Sequence, residues 1–228
     1  MLTAKLIMER FDKDHHLLER REQPSRSFVQ GFIQLLYVAH TQIQSGAPYS
    51  MTDITGNARD IDSQAGGHGR YAKSNITVGS PPGDSQLIAW TGQASGTPWS
   101  LPHLRGQYIG IQVGTGVAAV IPTDNALQTR INHGRAGGQM EYGGCELINI
   151  GFVNPNGEFT IRRYFTNLSG GGITVEEVGI YAIGTKYDSW NIAGGVVWPF
   201  CIARDLTGGV AVADTELLRV TYVVQITV

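Results

Sequence analysis

The sequence predicts a mainly β protein, an antiparallel β-sandwich or jelly-roll-like domain with an N-terminal β-hairpin and one amphipathic-to-apolar helix. Glycine makes up 30 of 228 residues, about twice its usual share, and only 16% of residues are charged. Hydrophobic residues alternate with period two through much of the second half of the chain. Helices do not alternate with these strands, so an antiparallel arrangement is favoured over a parallel sheet.

The N-terminal segment is rich in charged residues of both signs and predicts the hairpin. Residues 6–11 and 17–22 are two runs that combine apolar and charged side chains, and the polar residues 12–15 separate them as a turn. A continuous helix through this segment is the alternative. Ser25 or Ser27 is placed to cap a following helix, because a serine hydroxyl can accept from the free N–H groups of a first turn.

Apolar residues then recur at intervals of three and four over residues 27–42, which predicts a helix. Its stripe includes Phe28, Phe32, Leu35 and Leu36. Further apolar residues widen the stripe over most of the helix circumference, so more than one surface must cover it. Burial in the subunit's own core and burial between subunits are both open, and the four residues are the candidate assembly interface.

Three regions follow from these patterns. Residues 1–44 form the hairpin and helix, an assembly element added to the sandwich. Residues 45–107 contain many glycines and prolines and predict a loop-rich region with short strands. Residues 108–228 form the antiparallel sandwich core.

The strands of the core are separated by turn residues. Residues 154–157 and 169–172 are glycine-rich or Asn-Pro turns that predict three consecutive antiparallel strands. The apolar parity switches at Glu176 and Glu177, which predicts a β-bulge there. The clearest alternation runs over residues 218–228 and predicts a long strand with one buried face.

Charge and hydropathy exclude several partners. The formal net charge is −2 and the sequence pI is near 6.3, so the chain as a whole lacks the basic surface of a nucleic-acid-binding protein. No run of about 18 apolar residues is present, so no membrane span is expected. Cys145 and Cys201 are far apart in the sequence, which favours two separate buried thiols over a disulfide or a zinc site.

The sequence contains no catalytic motif, and we expect no catalytic residue, cofactor or metal site. It has no nucleophile elbow, no phosphate-binding loop and no paired histidines at metal-ligand spacing. Aspartates in the glycine-rich stretch near Asp53 lack the calcium-loop pattern. Four carboxylates could still meet in space as a glycosidase pair, namely Glu146, Glu158, Glu176 and Asp188, so a hydrolase is a third alternative.

Two tryptophans lie in polar surroundings and are the candidate ligand or partner contacts. Trp99 follows a proline, and Trp190 lies between a serine and an asparagine. Flat apolar rings beside hydrogen-bonding groups suit sugars and protein partners. The alternative is that each ring closes one end of the sandwich.

Several segments together resemble those of one protein class. They are residues 24–29, 108–116, 133–143, 159–167, 173–181 and 202–205. In these segments the chain is similar to structural proteins of tailed-bacteriophage virions. The resemblance implies a non-enzymatic subunit of the capsid decoration, neck or tail, made in the host cytoplasm and located in the virion. It implies self-association and contact with other virion proteins; a virion module that binds surface glycans or a receptor is the alternative.

Overall fold

The computed structural model describes residues 2–25, 28–41, 49–61, 108–153, 155–186 and 196–227. Within these ranges the protein is mainly β, as predicted, with one helix, α1 (Gln30–Thr41). The strands are β1 (Leu2–Phe11), β2 (Leu17–Ser25), β3 (Tyr49–Thr52), β4 (Ala58–Ile61), β5 (Gly110–Gly114), β6 (Glu141–Val153), β7 (Asn156–Thr166), β8 (Ile173–Lys186), β9 (Val196–Val212) and β10 (Leu217–Thr227).

The strands form antiparallel sheets that pack together as a sandwich. The large sheet has the order β2-β1-β10-β7-β6, the small sheet has the order β5-β8-β9, and β3 pairs with β4. Leu6 and Tyr222 of the large sheet belong to the same buried cluster as Ile180 and Phe200 of the small sheet. Burial of these apolar faces against each other is the main favourable contribution to the fold.

The predicted N-terminal hairpin is present, but it is not an addition to the sandwich. β1 pairs with β10 along its whole length, from Leu2 opposite Ile226 to Phe11 opposite Leu217. Ala4, Leu6 and Met8 on the inner face of β1 are buried, whereas Lys5 and Glu9 lie on its outer face. Met8 on that inner face is 1% exposed and lies in the main core, so the hairpin is an integral part of the large sheet.

The helix begins later than predicted, and Ser25 does not cap it. The Gln30 N–H donates to the Pro122 carbonyl over 2.8 Å, and the Val29 N–H donates to the Ile202 carbonyl over 3.1 Å. The Ser25 hydroxyl donates instead to the Asp205 carboxylate. Tertiary contacts therefore replace a local cap at this helix start; Ser27 lies outside the described residues.

The helix residues predicted as an assembly interface pack instead against the core of the same chain. Phe32 and Leu35 belong to the main core, and Phe28 and Leu36 pack against that core. The helix approaches β9 closely because position 31 is glycine: an added Cβ there would overlap the carbonyl oxygen of Cys201. The stripe is therefore a core face and not a free surface.

The predicted strand pairing is correct for the first turn and wrong for the second. β6 and β7 form a hairpin in which Val153 pairs with Asn156. β8 does not continue beside β7, because the chain crosses to the small sheet, where β8 pairs with β5 and β9. The Asn167 amide stabilises this crossing, donating to the Gly171 carbonyl at 2.7 Å and to the Val212 carbonyl at 2.9 Å.

Two further sequence predictions are confirmed. The β8–β9 register shifts between Val175 and Glu177, which is the predicted bulge. In β10, the alternating residues Leu218, Val220, Tyr222 and Val224 are buried as predicted, whereas Ile226 on the same face is 57% exposed. Residue 228 lies outside the described residues.

Both cysteines are buried free thiols, as the sequence predicted. Burial raises the pKa of the Cys201 thiol well above its usual value, because the thiolate would be desolvated. Among the described helices none is long and apolar enough to cross a membrane, since α1 has 12 residues.

Candidate interaction surface

The two sheets of the sandwich end in four edge strands, and an exposed edge invites pairing with another chain. Other segments of the chain pair with the backbone of both edge strands of the small sheet. On β9, Phe28 forms a bridge with Ala203. On β5, the Ile131 N–H donates to the Val113 carbonyl over 2.9 Å, and Gly114 forms a bridge with Arg130.

The β2 edge of the large sheet is protected by its composition. Its solvent-facing residues include charges of both signs and Pro24, which cannot donate to a neighbouring strand. Several of the charges form ion pairs on this surface, including Lys5 with Glu22 at 2.8 Å and Arg20 with Glu22 at 3.0 Å. A strand pairing here would have to desolvate these groups.

The β6 edge differs along its length. At its start, the Tyr142 N–H donates to His133 Nδ1 over 2.9 Å, and the Met140 N–H just before it donates to the Asn132 carbonyl. Residues 147–153 contain no charge and no proline. Within the described part of the chain, the backbone of this second half pairs with β7 alone. Among the described residues, nothing covers or protects this part of the strand edge.

Exposed apolar side chains lie at the same end of the large sheet. Their exposed fractions are 51% for Leu147, 67% for Ile150, 81% for Phe152 and 57% for Ile226. We call these four residues the uncovered strip. A contiguous group of large apolar residues on a surface marks an interaction site more often than a single exposed residue does.

The uncovered strip lies on the side of the large sheet that elsewhere forms the core. Leu147 pairs with Ile161, which is fully buried. Ile150 pairs with Phe159, which packs against the main core. Because directly paired residues point to the same side of a sheet, Leu147 and Ile150 face inward. Within the described residues, the small sheet therefore does not cover this part of the large sheet.

Phe152 continues the strip to the end of the hairpin. It pairs with Gly157, which also pairs with Ile226 on the neighbouring strand β10. An added Cβ at Gly157 would lie 3.2 Å from the Phe152 ring, so the ring lies over this glycine. The glycine that follows the turn thus allows the aromatic ring to lie close to the sheet.

Two bulges interrupt β6, between Tyr142 and Cys145 and between Leu147 and Asn149. Ile148, the extra residue of the second bulge, is 43% exposed. Bulges bend a strand and are frequent at sheet edges. They explain why the sequence of β6 lacks a regular alternation, and why its exposed residues were missed as a candidate site.

The charges of β6 are neutralised within the subunit. The Arg135 guanidinium lies 3.0 Å from the Glu141 carboxylate, and the Arg162 guanidinium lies 3.1 Å from the Glu146 carboxylate. The open edge therefore presents an apolar surface flanked by ion pairs that are already formed.

Buried polar groups connect the strands of the sandwich to its loops. Glu177, turned inward by the bulge in β8, accepts from the N–H groups of Gly116, Gln128 and Thr129 at 2.8–3.1 Å. Arg204 Nε donates to the same carboxylate over 2.8 Å. Burial alone would lower the pKa of Arg204. The hydrogen bonds that Arg204 donates to Glu177 and Asp124 outweigh this effect and raise its pKa above the usual value.

A second buried cation joins the two sheets. Arg163 of β7 donates to the Gly143 carbonyl over 2.9 Å and to the carbonyls of Ile109 and Ile111 at 2.8 and 3.0 Å. Burial lowers the pKa of this guanidinium. The arginine explains the break in apolar alternation along β7, where a charged residue stands at a core position.

The carboxylates considered for hydrolysis are engaged on different parts of the molecule. Glu146 pairs with Arg162, and Glu158 accepts from the Gln225 amide over 2.7 Å, both on the large sheet. Glu176 lies on β8 of the small sheet. Asp188 lies outside the described residues.

In two polar turns, aspartate side chains form hydrogen bonds that the sequence patterns did not predict. Asp12, Asp14 and His16 place ligand atoms within 4.8 Å of one another in the β1–β2 turn. Asp12 serves that turn, because its carboxylate accepts from the N–H groups of Asp14 and His16. Asp53 serves the β3–β4 turn in the same way, because its carboxylate accepts from the N–H groups of Thr55 and Asn57.

The two candidate tryptophan contacts, Trp99 and Trp190, lie outside the described residues. Comparison of the chain with models of protein families, with curated proteins and with solved structures gives no match.

Proposed function

We propose that the protein is a non-enzymatic structural subunit of a tailed-bacteriophage particle that assembles with itself and with other virion proteins. The observation that carries the self-assembly is the uncovered strip beside the open edge of β6. An apolar surface beside a strand edge that no described residue pairs with is stabilised when a second chain covers it. The assignment to a virion comes from the segment resemblance described above.

The buried polar contacts within the sandwich support a role as a structural subunit. The buried contacts of Glu177 and Arg163 fix both sheets to their loops, and such satisfied polar networks make a core rigid. A rigid sandwich with one apolar edge suits a repeated subunit.

Two measurements test this function. Light scattering of the purified chain over a concentration series should show a defined oligomer; a monomer at every concentration would contradict self-assembly. Quantitative mass spectrometry of purified particles of the phage that encodes the chain should find it in many copies per particle. Its absence from those particles would contradict the virion role.

A glycan-binding module is the other virion function that the sequence left open. The tryptophans that would carry it lie outside the described residues, so no structural observation favours it. A glycan array with the same purified chain separates the two, because a structural subunit binds no sugar selectively.

A further inference from the structure

The second half of β6 exposes both backbone groups and apolar side chains at one place. In the described part of the chain, its outward backbone groups have no neighbouring strand, and the adjoining uncovered strip has no apolar cover. A single extended strand with apolar side chains covers both, because main-chain hydrogen bonds and side-chain contacts come together in strand addition.

Charge distinguishes between the possible partner strands. Residues 147–153 are uncharged, and the two glutamates of β6 are already paired with Arg135 and Arg162. A second copy of this edge therefore meets the first without like-charge repulsion and without burying an unpaired charge. The β2 edge of a second copy would bring charged residues against apolar ones, which requires their desolvation.

We infer that β6 pairs antiparallel with β6 of a second copy, joining two large sheets into one continuous sheet of ten strands. The inference rests on the proposed function, for which it supplies the self-assembly contact. The two copies are related by a two-fold axis that passes through β6 between Ile148 and Phe152. Such a contact is isologous, so the same residues are used by both copies.

This geometry also joins the two uncovered strips. Antiparallel pairing about an axis perpendicular to the sheet keeps the inner faces of both copies on one side. Phe152 of one copy then lies beside the aliphatic residues near Ile150 of the other. Pairs of aromatic and β-branched residues across antiparallel strands are favourable.

A single-cysteine scan tests the axis directly. Cysteine is introduced separately at Ile148, Asn149, Ile150, Gly151 and Phe152. Only the residue on a two-fold axis lies opposite itself, with Cα atoms about 4.5–5.5 Å apart. One position away, each residue meets itself only across a diagonal of about 7–8 Å, beyond the usual reach of a disulfide. Gly151→Cys is well suited, because an added Cβ there meets open space.

Mild oxidation should give one position that cross-links at least tenfold faster than the positions beside it. Wild-type protein, with Cys145 and Cys201 both buried, is the control and should not cross-link. Equal cross-linking at all five positions would indicate parallel pairing and overturn the inference. No cross-linking in a protein that light scattering shows to be an oligomer would place the interface elsewhere and leave the proposed function intact. A monomer at every concentration would contradict both.

A charge substitution provides a second test. Ile150→Lys places a charge in the centre of the open edge, and we expect it to weaken the self-association constant at least tenfold. Leu18→Lys is the matched control, because Leu18 is also exposed, at 47%, but lies on β2 at the opposite edge. Circular dichroism should show both variants folded, since neither side chain is buried. Equal effects of the two substitutions would overturn the inference.

Discussion

At the scale of single residues, the fold depends on a few buried charges whose partners are supplied by distant segments. Glu177 accepts from three backbone N–H groups of the segment 115–130 and from Arg204. Arg204 in turn donates to Asp124 at 2.7 Å and to the Ala118 carbonyl at 2.9 Å. The Glu177 carboxylate and the Arg204 guanidinium thus tie a long stretch without regular secondary structure to β8 and β9.

Glu177→Gln should destabilise the protein by about 3–5 kcal/mol, the range for breaking a buried ion pair. The amide nitrogen of glutamine would face N–H donors that the carboxylate now accepts from. Urea denaturation measures the free energy of unfolding. Hydrogen exchange should show reduced protection at the Gly116 and Thr129 N–H groups.

Glu176→Gln is the matched control, because Glu176 adjoins Glu177 on the same bulge and is not fully buried. We expect a change within about 1 kcal/mol. Similar losses in both variants would mean that the bulge, and not the carboxylate of Glu177, stabilises the segment.

A second residue-scale prediction concerns acid. Burial raises the pKa of Asp53, but hydrogen bonds from Thr55, Arg59 and Asn57 outweigh it and hold the pKa below its usual range. A lowered native pKa stabilises the fold above the unfolded value of about 3.9, and this contribution is lost as pH falls through the native pKa. The free energy of unfolding should therefore decrease below about pH 5.

Asp53→Asn should lower stability at neutral pH by about 1–3 kcal/mol, because Arg59 and the turn N–H groups lose a charged acceptor. The variant should also show a shallower decrease of the free energy of unfolding with acid. Urea denaturation at a series of pH values measures both effects. An unchanged acid dependence would show that other carboxylates cause it.

At the scale of elements, α1 illustrates how an apolar helix is divided between core and surface. Phe32 is 7% exposed, whereas the next residue, Ile33, is 64% exposed. The helix packs on β9, and the glycine at position 31 sets how closely it approaches. Its outward side carries Ile33 and Tyr37, and the Tyr37 ring lies 5.4 Å from the Tyr49 ring of β3.

These neighbouring positions give a direct test of the core assignment. Phe32→Asp should abolish cooperative unfolding, because an unpaired carboxylate in this apolar cluster has no compensating partner. Ile33→Asp should leave the fold intact. Thermal unfolding followed by circular dichroism compares the two. A folded Phe32→Asp protein that has only lost its oligomeric state would restore the helix stripe as an assembly interface.

At the scale of the whole molecule, the large sheet is assembled from both halves of the chain. β10 lies between β1 and β7, so the N-terminal hairpin completes the sheet on one side and the β6–β7 hairpin completes it on the other. Removing one hairpin would uncover the inner face of the small sheet and open an edge of β10. The sandwich is therefore one cooperative unit in which the hairpin takes part.

Deletion of residues 2–25 should consequently prevent folding of the remainder. Buried Leu6 and Met8 would leave the core, and buried Tyr222 would lose its neighbour on β1. Circular dichroism and a thermal scan of the truncated chain measure the outcome. A truncated protein with a cooperative transition near that of the full chain would show that the hairpin is an accessory element.

Sequence patterns identified the strands better than their partners. The parity switch at Glu176 and Glu177 located a bulge, because an extra residue reverses which side chains face inward. Residues 169–172 indicated a reversal but not which sheet the next strand would join, since a turn sequence carries no information on distant pairing. The helix stripe with Phe32 was ambiguous, because a core face and an interface have the same composition. The uncovered strip escaped detection because exposure of Ile150 depends on where the opposite sheet ends.

The central position of β10 also has a consequence for biosynthesis. β10 follows every other described strand in the sequence, yet β1 and β7 both need it as a neighbour. β1 must therefore wait while some 200 further residues are translated before its main partner leaves the ribosome, and such non-local pairing is slow. The large sheet closes only after β10 emerges. Nascent chains thus lack the central strand of the large sheet, and the β6–β7 hairpin joins the N-terminal hairpin in one sheet only after β10 has been made.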